Sequence, residues 1–274
     1  MRVLIKNASI VNEGYIRQAS LLIEDDIIKK ICEEDKMPVE SVDEVTDATG
    51  CYVFPGVIDD HVHFREPGMT DKADIATESR AAAAGGVTSY FDMPNTVPQT
   101  TTIEAWRDKM NRGAKESVVN YAFFIGATND NAETLNVIDR NAVPGIKLFM
   151  GSSTGNMLVD RDMTLRELFS LKGVRILVHC EDEATIRENL QKAEERWGKD
   201  IPMREHENIR SRKACIKSTA KALEMAIECG TALHITHVTT AEEVEMIRAA
   251  KIHNPLISAE TSANYLWFCD EDYD

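Results

Sequence analysis

Along most of the chain, short apolar runs alternate with longer amphipathic stretches, and the two periods predict different elements. The runs VIDDHVH (57 to 63), VTSYFDM (87 to 93), VVNYAFFIG (118 to 126), GIKLFM (145 to 150), VRILVHC (174 to 180), ALHITHV (232 to 238) and LISAE (256 to 260) are short, apolar and turn-bounded. Each is predicted as a strand. Helical patterns fit between them at about 72 to 84, 103 to 114, 132 to 140, 164 to 171, 183 to 196 with 205 to 228, and 240 to 252, the first ending at Gly85-Gly86. Strands alternating with helices predict βα units around a parallel sheet. Seven such strands with right-handed crossovers point to a (β/α)8 barrel of the TIM type rather than an open sheet. The last run leads into a loop that ends at residue 274 before an eighth unit, so the barrel is expected to be incomplete at its C-terminus.

Residues 1 to 55 follow another pattern, with VLIKNASIV, SLLIED, IIKKICE and CYVFPG as β-type runs between turn residues and no long helical period. The expected organisation is a small β domain over 1–55 and the barrel over 56–274. The acidic balance, 46 Asp and Glu against 31 Lys and Arg for a formal charge of -15, comes without a basic stripe and argues against nucleic acid as a partner. Cys32, Cys51, Cys180, Cys215, Cys229 and Cys269 are scattered without CxxC spacing, as free thiols in a reducing cytosol would be. The N-terminus lacks signal-peptide character and no apolar run approaches the roughly 20 residues that span a bilayer. A cytoplasmic protein without membrane association is expected.

The candidate chemistry sits where a barrel enzyme works, at the C-terminal ends of strands. His61 and His63 end the first strand, and their i, i+2 spacing puts both imidazoles on one side, as chelation of one metal requires. Alone, an HxH is a weak signal. Lys147 is a lone cation in the apolar GIKLFM strand; burial favours a neutral amine, which can take up carbon dioxide as a carbamate, whereas the plainer reading is a lysine that reaches to water. His179 and His237 each close a further strand, and singly each reads as an ordinary core or loop histidine. Together, five ligand-type side chains at four strand ends make coincidence the poorer explanation. His234, of opposite parity to His237, reads as structural, His206 and His253 as solvated surface residues, and Trp106 as core. Glu66 and Asp92 lie near the mouth and receive no catalytic step.

The runs HVHFREPG (61 to 68), DMPNT (92 to 96), GIKLFMGSSTG (145 to 155), VHCED (178 to 182) and THVTTAEEV (236 to 244) resemble the dihydroorotase motifs of the amidohydrolase superfamily, and the resemblance covers nearly the whole chain. It implies two zinc ions, one on His61 and His63 and the other on His179 and His237, bridged by N6-carboxylated Lys147. Arg65 and Asn95 would hold the substrate carboxylate, as a guanidinium fork and an amide can. The implied reaction is reversible hydrolysis of dihydroorotate to N-carbamoyl-aspartate in pyrimidine synthesis, on a small-molecule substrate, with a homodimer as the default assembly. The resemblance also implies that the N-terminal β unit is part of a small β-sandwich completed by C-terminal strands. The family's catalytic aspartate belongs to the eighth strand, expected beyond residue 274, so no residue here takes that role. Asn264 and Tyr265 stand where many dihydroorotases have paired histidines, and related hydantoinases often carry a tyrosine there. The competing readings are an allantoinase or hydantoinase-type cyclic amidohydrolase and a noncatalytic scaffold relative; Arg65 and Asn95 argue for a carboxylate-bearing substrate, and retention of all five ligands argues against the scaffold.

Overall fold

The computed structural model describes residues 1–33, 41–151 and 155–273, and the chain divides into two units, Met1–Val57 and Ile58–Asp274. Residues 152 to 154 of the GIKLFMGSSTG run lie outside the described residues.

In the first unit, β1 (Arg2–Asn12), β2 (Tyr15–Glu24) and β3 (Ile27–Cys32) form an antiparallel meander, and β4 (Glu44–Asp47) and β5 (Tyr52–Val53) run parallel to β1. The β1–β2 connection is the two-residue Glu13-Gly14, both at positive φ (51° and 79°), whose twist matches that of paired strands. Asn7, at φ 62°, sits in the register shift between Ile5 and Ala8. Ala8, Ile10, Ala19, Leu21 and Ala48 form the small core. Strand β4 was not expected: EVTD is exposed throughout and carries no apolar alternation to signal it.

The second unit repeats strand and helix. Its parallel strands are β6 (Val57–Val62), β7 (Val87–Asp92), β8 (Asn120–Phe123), β9 (Ile125–Gly126), β10 (Ile146–Phe149), β11 (Arg175–His179), β12 (Ala232–Ile235) and β13 (Ser258–Ala259), ordered β6-β7-β8 in one sheet and β9-β10-β11-β12-β13 in the other. The run expected as one strand over 118 to 126 is split into β8 and β9 at Phe124, whose N–H still donates to Asp92 O of β7 while Ile125 and Gly126 pair with β10. Each strand expected from the apolar runs therefore has its counterpart, in chain order and shorter by a few residues.

The helices are α1 (Ile75–Ala84), α2 (Ile103–Glu116), α3 (Ala132–Asn136), α4 (Asp162–Phe169), α5 (Glu183–Trp197), α6 (His206–Ile209), α7 (Arg212–Cys229), α8 (Ala241–His253) and α9 (Ala263–Trp267). Side-chain oxygens of Asp74, Thr102, Asp182 and Thr240 accept N–H groups in the first turns of α1, α2, α5 and α8. The helix expected over 205 to 228 is broken, because Arg210 leaves the helical region at ψ 66° and Asn189 holds Ile209 O and Ser211 Oγ across the break. The expected helix 132 to 140 stops at Asn136, where the Arg140 guanidinium donates to the Leu135 and Asn136 carbonyls. The loop expected after residue 260 contains α9.

Strand alternation sorts side chains between two faces. Ile146 and Leu148, Ile176 and Val178, and Leu233 and Ile235 pack outward against Leu165, Leu168 and Phe169 of α4, Leu223 and Ala226 of α7, and Ile247 of α8. At ~1.5–3 kcal/mol for each fully buried large aliphatic or Phe side chain, this layer is the main apolar driving force for the unit. The intervening positions, Lys147, Leu177, His179 and His234, face the other way, so the polar groups are gathered on the inner face by the same alternation that builds the core. All six cysteines are free thiols, and no helix among the described residues is long and apolar enough to cross a membrane.

Candidate metal centre

The loops that deliver the first candidates are fixed by buried polar contacts. Asp92 at the end of β7 accepts the Phe64 N–H at 2.9 Å, between His63 and Arg65. Its other oxygen lies 2.7 Å from Lys109 Nζ, which also donates to Met93 O; both side chains are fully buried. Burial pushes the Asp92 carboxyl up and the Lys109 ammonium down, and their mutual attraction opposes both. The loops after β6 and β7 also dock on each other: Val97 N–H donates to Pro67 O, and a Cβ added to Gly68 (φ 81°) would lie 1.8 Å from Val97 O. Only glycine fits that approach.

On this frame, His61, His63, Asn95, Lys147, His179 and His237 line one cavity of about 480 Å³. The ring centroids of His61 lie 5.3 Å from those of His63 and 5.5 Å from those of His237, and His237 lies 4.7 Å from His179. His179 Nδ1 and His237 Nε2 are 2.8 Å apart, so two ring nitrogens from different strand ends face one point. Lys147 is fully buried; its Nζ donates to Thr236 Oγ1 at 3.0 Å and lies 5.2 Å from the Phe149 ring centre. Burial, partly offset by Glu260, lowers its ammonium to about 7, so near neutrality a large share of the amine is uncharged.

Burial likewise holds His63 down to about 3, helped by the charges of His61 and Arg65, and His237 to about 2, helped by His179 and Lys147. His179 is lowered too, with burial the chief cause. A neutral imidazole keeps a lone pair, the form that ligates. Two of the rings have their outer nitrogen taken by a carboxylate. His179 Nε2 lies 2.5 Å from Glu181 Oε2, and His61 Nδ1 meets Glu260 Oε1. Burial opposes ionisation of both carboxylates. Hydrogen bonds from His179 and Arg210 nevertheless hold Glu181 to about 2, and those from His234 and His61 hold Glu260 below the usual carboxylate range. Nitrogen donors gathered in this way, two of their rings oriented from behind, suit a divalent transition ion.

Not every expectation is met. Arg65, half-buried and at φ 66°, does not line the cavity, although its charge bears on His63. Asn95 does line it, with its Oδ1 buried and without a hydrogen-bond partner. The parity argument for His234 fails because His237 lies beyond the end of β12, at φ 41°, where strand alternation no longer applies. His234 shares the inner face with Lys147, bonding Ser258 Oγ at 2.8 Å and Glu260 Oε2 at 3.0 Å. His206 is exposed at the cavity rim and His253 is exposed at the end of α8. Tyr265 lines the cavity from α9. Glu181, Arg210, Thr236 and Glu260 were not singled out by sequence. Glu181 and Thr236 had a usable signal, standing two residues after His179 and immediately before His237, and Glu260 closes the last strand run, whereas Arg210 is joined to the site only by folding.

A parallel α/β unit that gathers four histidines and a buried lysine at one end of its strands defines the amidohydrolase class. The dihydro-orotase-like family model matches residues 50–243, and the chain belongs to that family. The chain is 33% identical over 279 residues to a dihydroorotase of Methanosarcina acetivorans, covering 98% of this chain and 58% of that protein. It is 31% identical over 277 residues to an allantoinase of Desulfitobacterium hafniense, covering 98% and 60%. Among solved structures it resembles L-hydantoinase (dihydropyrimidinase) from Arthrobacter aurescens with a TM-score of 0.91 at 27% identity, covering 98% of this chain and 60% of that one. The chain thus spans about three-fifths of the length of these relatives.

Proposed function

We propose that this chain carries the metal-binding part of a cyclic amidohydrolase active site on a (β/α)8 barrel, and that its substrate is dihydroorotate, hydrolysed reversibly to N-carbamoyl-aspartate. The observation that carries the reading is the convergence of His179 Nδ1 and His237 Nε2, 2.8 Å apart, beside the buried amine of Lys147. His61 and His63 would hold one zinc ion and His179 and His237 the other, with carboxylated Lys147 between them. Bound there, the ions would supply Lewis acidity to the amide carbonyl and acidify a water.

The residues prepare this chemistry in their own right. The uncharged Lys147 amine would add its lone pair to the carbon of carbon dioxide and lose one proton, giving a carbamate whose negative charge replaces a cation that burial disfavours. Glu181 and Glu260 hold the backs of His179 and His61, leaving one ring nitrogen of each toward the cavity. Asn95 is placed to donate to a substrate carboxylate or carbonyl, and Arg65, whose charge already bears on His63, would join it through its own side chain.

A second reading, an allantoinase or hydantoinase-type cyclic amide as substrate, is favoured by two observations: Tyr265 lines the cavity and Arg65 stands outside its lining. The test is turnover of dihydroorotate, allantoin and hydantoin by the full-length protein, with metal content measured in parallel. Dihydroorotate turnover with about two zinc ions per chain is expected. Turnover of allantoin or hydantoin without dihydroorotate would move the assignment to the second reading, and a metal-free, inactive protein would support a scaffold.

A further inference from the structure

Glu260 follows β13 and is half-buried, and both its carboxylate and its main chain contact residues of the candidate centre. Oε1 meets His61 Nδ1 and also accepts the His237 N–H at 3.3 Å, while Oε2 lies 3.0 Å from His234 Nε2. The main chain of the same residue is equally engaged. Its N–H donates to Ile235 O at 3.1 Å and its carbonyl accepts the Val238 N–H at 2.8 Å, bracketing His237 on both sides. His237 is held at φ 41°, in the left-handed region that a residue with a Cβ enters only when its surroundings impose it.

From these contacts we infer that Glu260 is the positioning residue of the centre, fixing the His61 ring as its Nδ1–H tautomer and locking His237 in its strained backbone state. The inference rests on the reading of His61 and His237 as metal ligands. A carboxylate is an acceptor only, so the hydrogen shared with His61 belongs to Nδ1, which leaves the Nε2 lone pair free toward the cavity. One side chain thereby acts on ligands proposed for different ions. His234, anchored by Ser258, keeps the second carboxylate oxygen occupied, which stops the group from swinging away from His61.

The experiment compares the full chain with Glu260→Ala, Glu260→Gln and His61→Ala, measuring zinc affinity by chelator competition and zinc stoichiometry. The His61 tautomer is read in the metal-free wild type by nitrogen NMR. Glu260→Ala is expected to bind zinc about 10- to 100-fold more weakly, the range seen when carboxylates behind metal-bound histidines are removed. Glu260→Gln, which can still accept from Nδ1–H, is expected to fall between it and wild type. The wild-type His61 is expected as the Nδ1–H form. Zinc affinity unchanged in both Glu260 variants while His61→Ala loses metal would overturn the inference and leave the metal-ligand reading standing. Unchanged zinc binding in His61→Ala would instead remove that reading. An Nε2–H tautomer in the wild type overturns the inference without any variant, so a failure of Glu260→Ala to fold does not shelter it.

Discussion

Lys147 shows how far a single residue can be read. An isolated lysine in an apolar strand was visible in the sequence, and the burial that makes it unusual is what lowers its ammonium to about 7. Because that value lies below the lysine norm, the uncharged, nucleophilic form dominates above pH 7 and is lost as pH falls below it. Reconstitution of metal-free protein with zinc and bicarbonate is therefore expected to speed up as pH rises from 6 to 8, and activity recovery followed against time at each pH would check it; a flat profile would count against carboxylation. Lys147→Ala is expected to abolish activity and to lower bound zinc, measured as metal per chain. Glu181 was less legible. Its place in the VHCED run was evident, yet its partner Arg210 lies 29 residues away at a helix break that no local pattern announced.

At the level of elements, the apolar runs located the strands well because burial on the outward face demands Ile, Leu and Val at alternate positions. They located ends poorly, since the last residues of each run already belong to the loops that form the site, as His63 and His237 do. Strand β4 and the break before α7 were invisible because exposed backbone pairing in one case and the long-range hydrogen bonds of Asn189 in the other set them. The α4 packing gives a direct stability test: Phe169→Ala should cost about 3–5 kcal/mol in denaturant unfolding. The Asp92–Lys109 pair gives another. Lys109→Met strands a buried carboxylate that holds the Phe64 N–H, so a loss of about 3–5 kcal/mol is expected, read from the unfolding midpoint. The double variant Asp92→Asn with Lys109→Met should recover part of that loss, and failure to recover any would show that the pair's charges are not what couples the two sites.

For the molecule as a whole, the formal charge of -15 opposes the approach of an anion. If dihydroorotate is the substrate, kcat/KM should rise as salt screens that repulsion from low ionic strength toward 0.15 M, whereas an uncharged ring such as hydantoin should show no such trend. The same comparison on one preparation separates the two substrate readings without any mutation. The arrangement of the centre also sets an order of assembly. His61 and Glu260 are 199 residues apart in the chain, whereas His179 and His237 are separated by 58. Long-range closures of this kind come late because a large loop must be ordered before any contact rewards it. During synthesis the ribosome must emit Glu260 before either the His61 ring or the His237 backbone can be held, so neither half of the proposed centre is finished until the segment after β13 has docked.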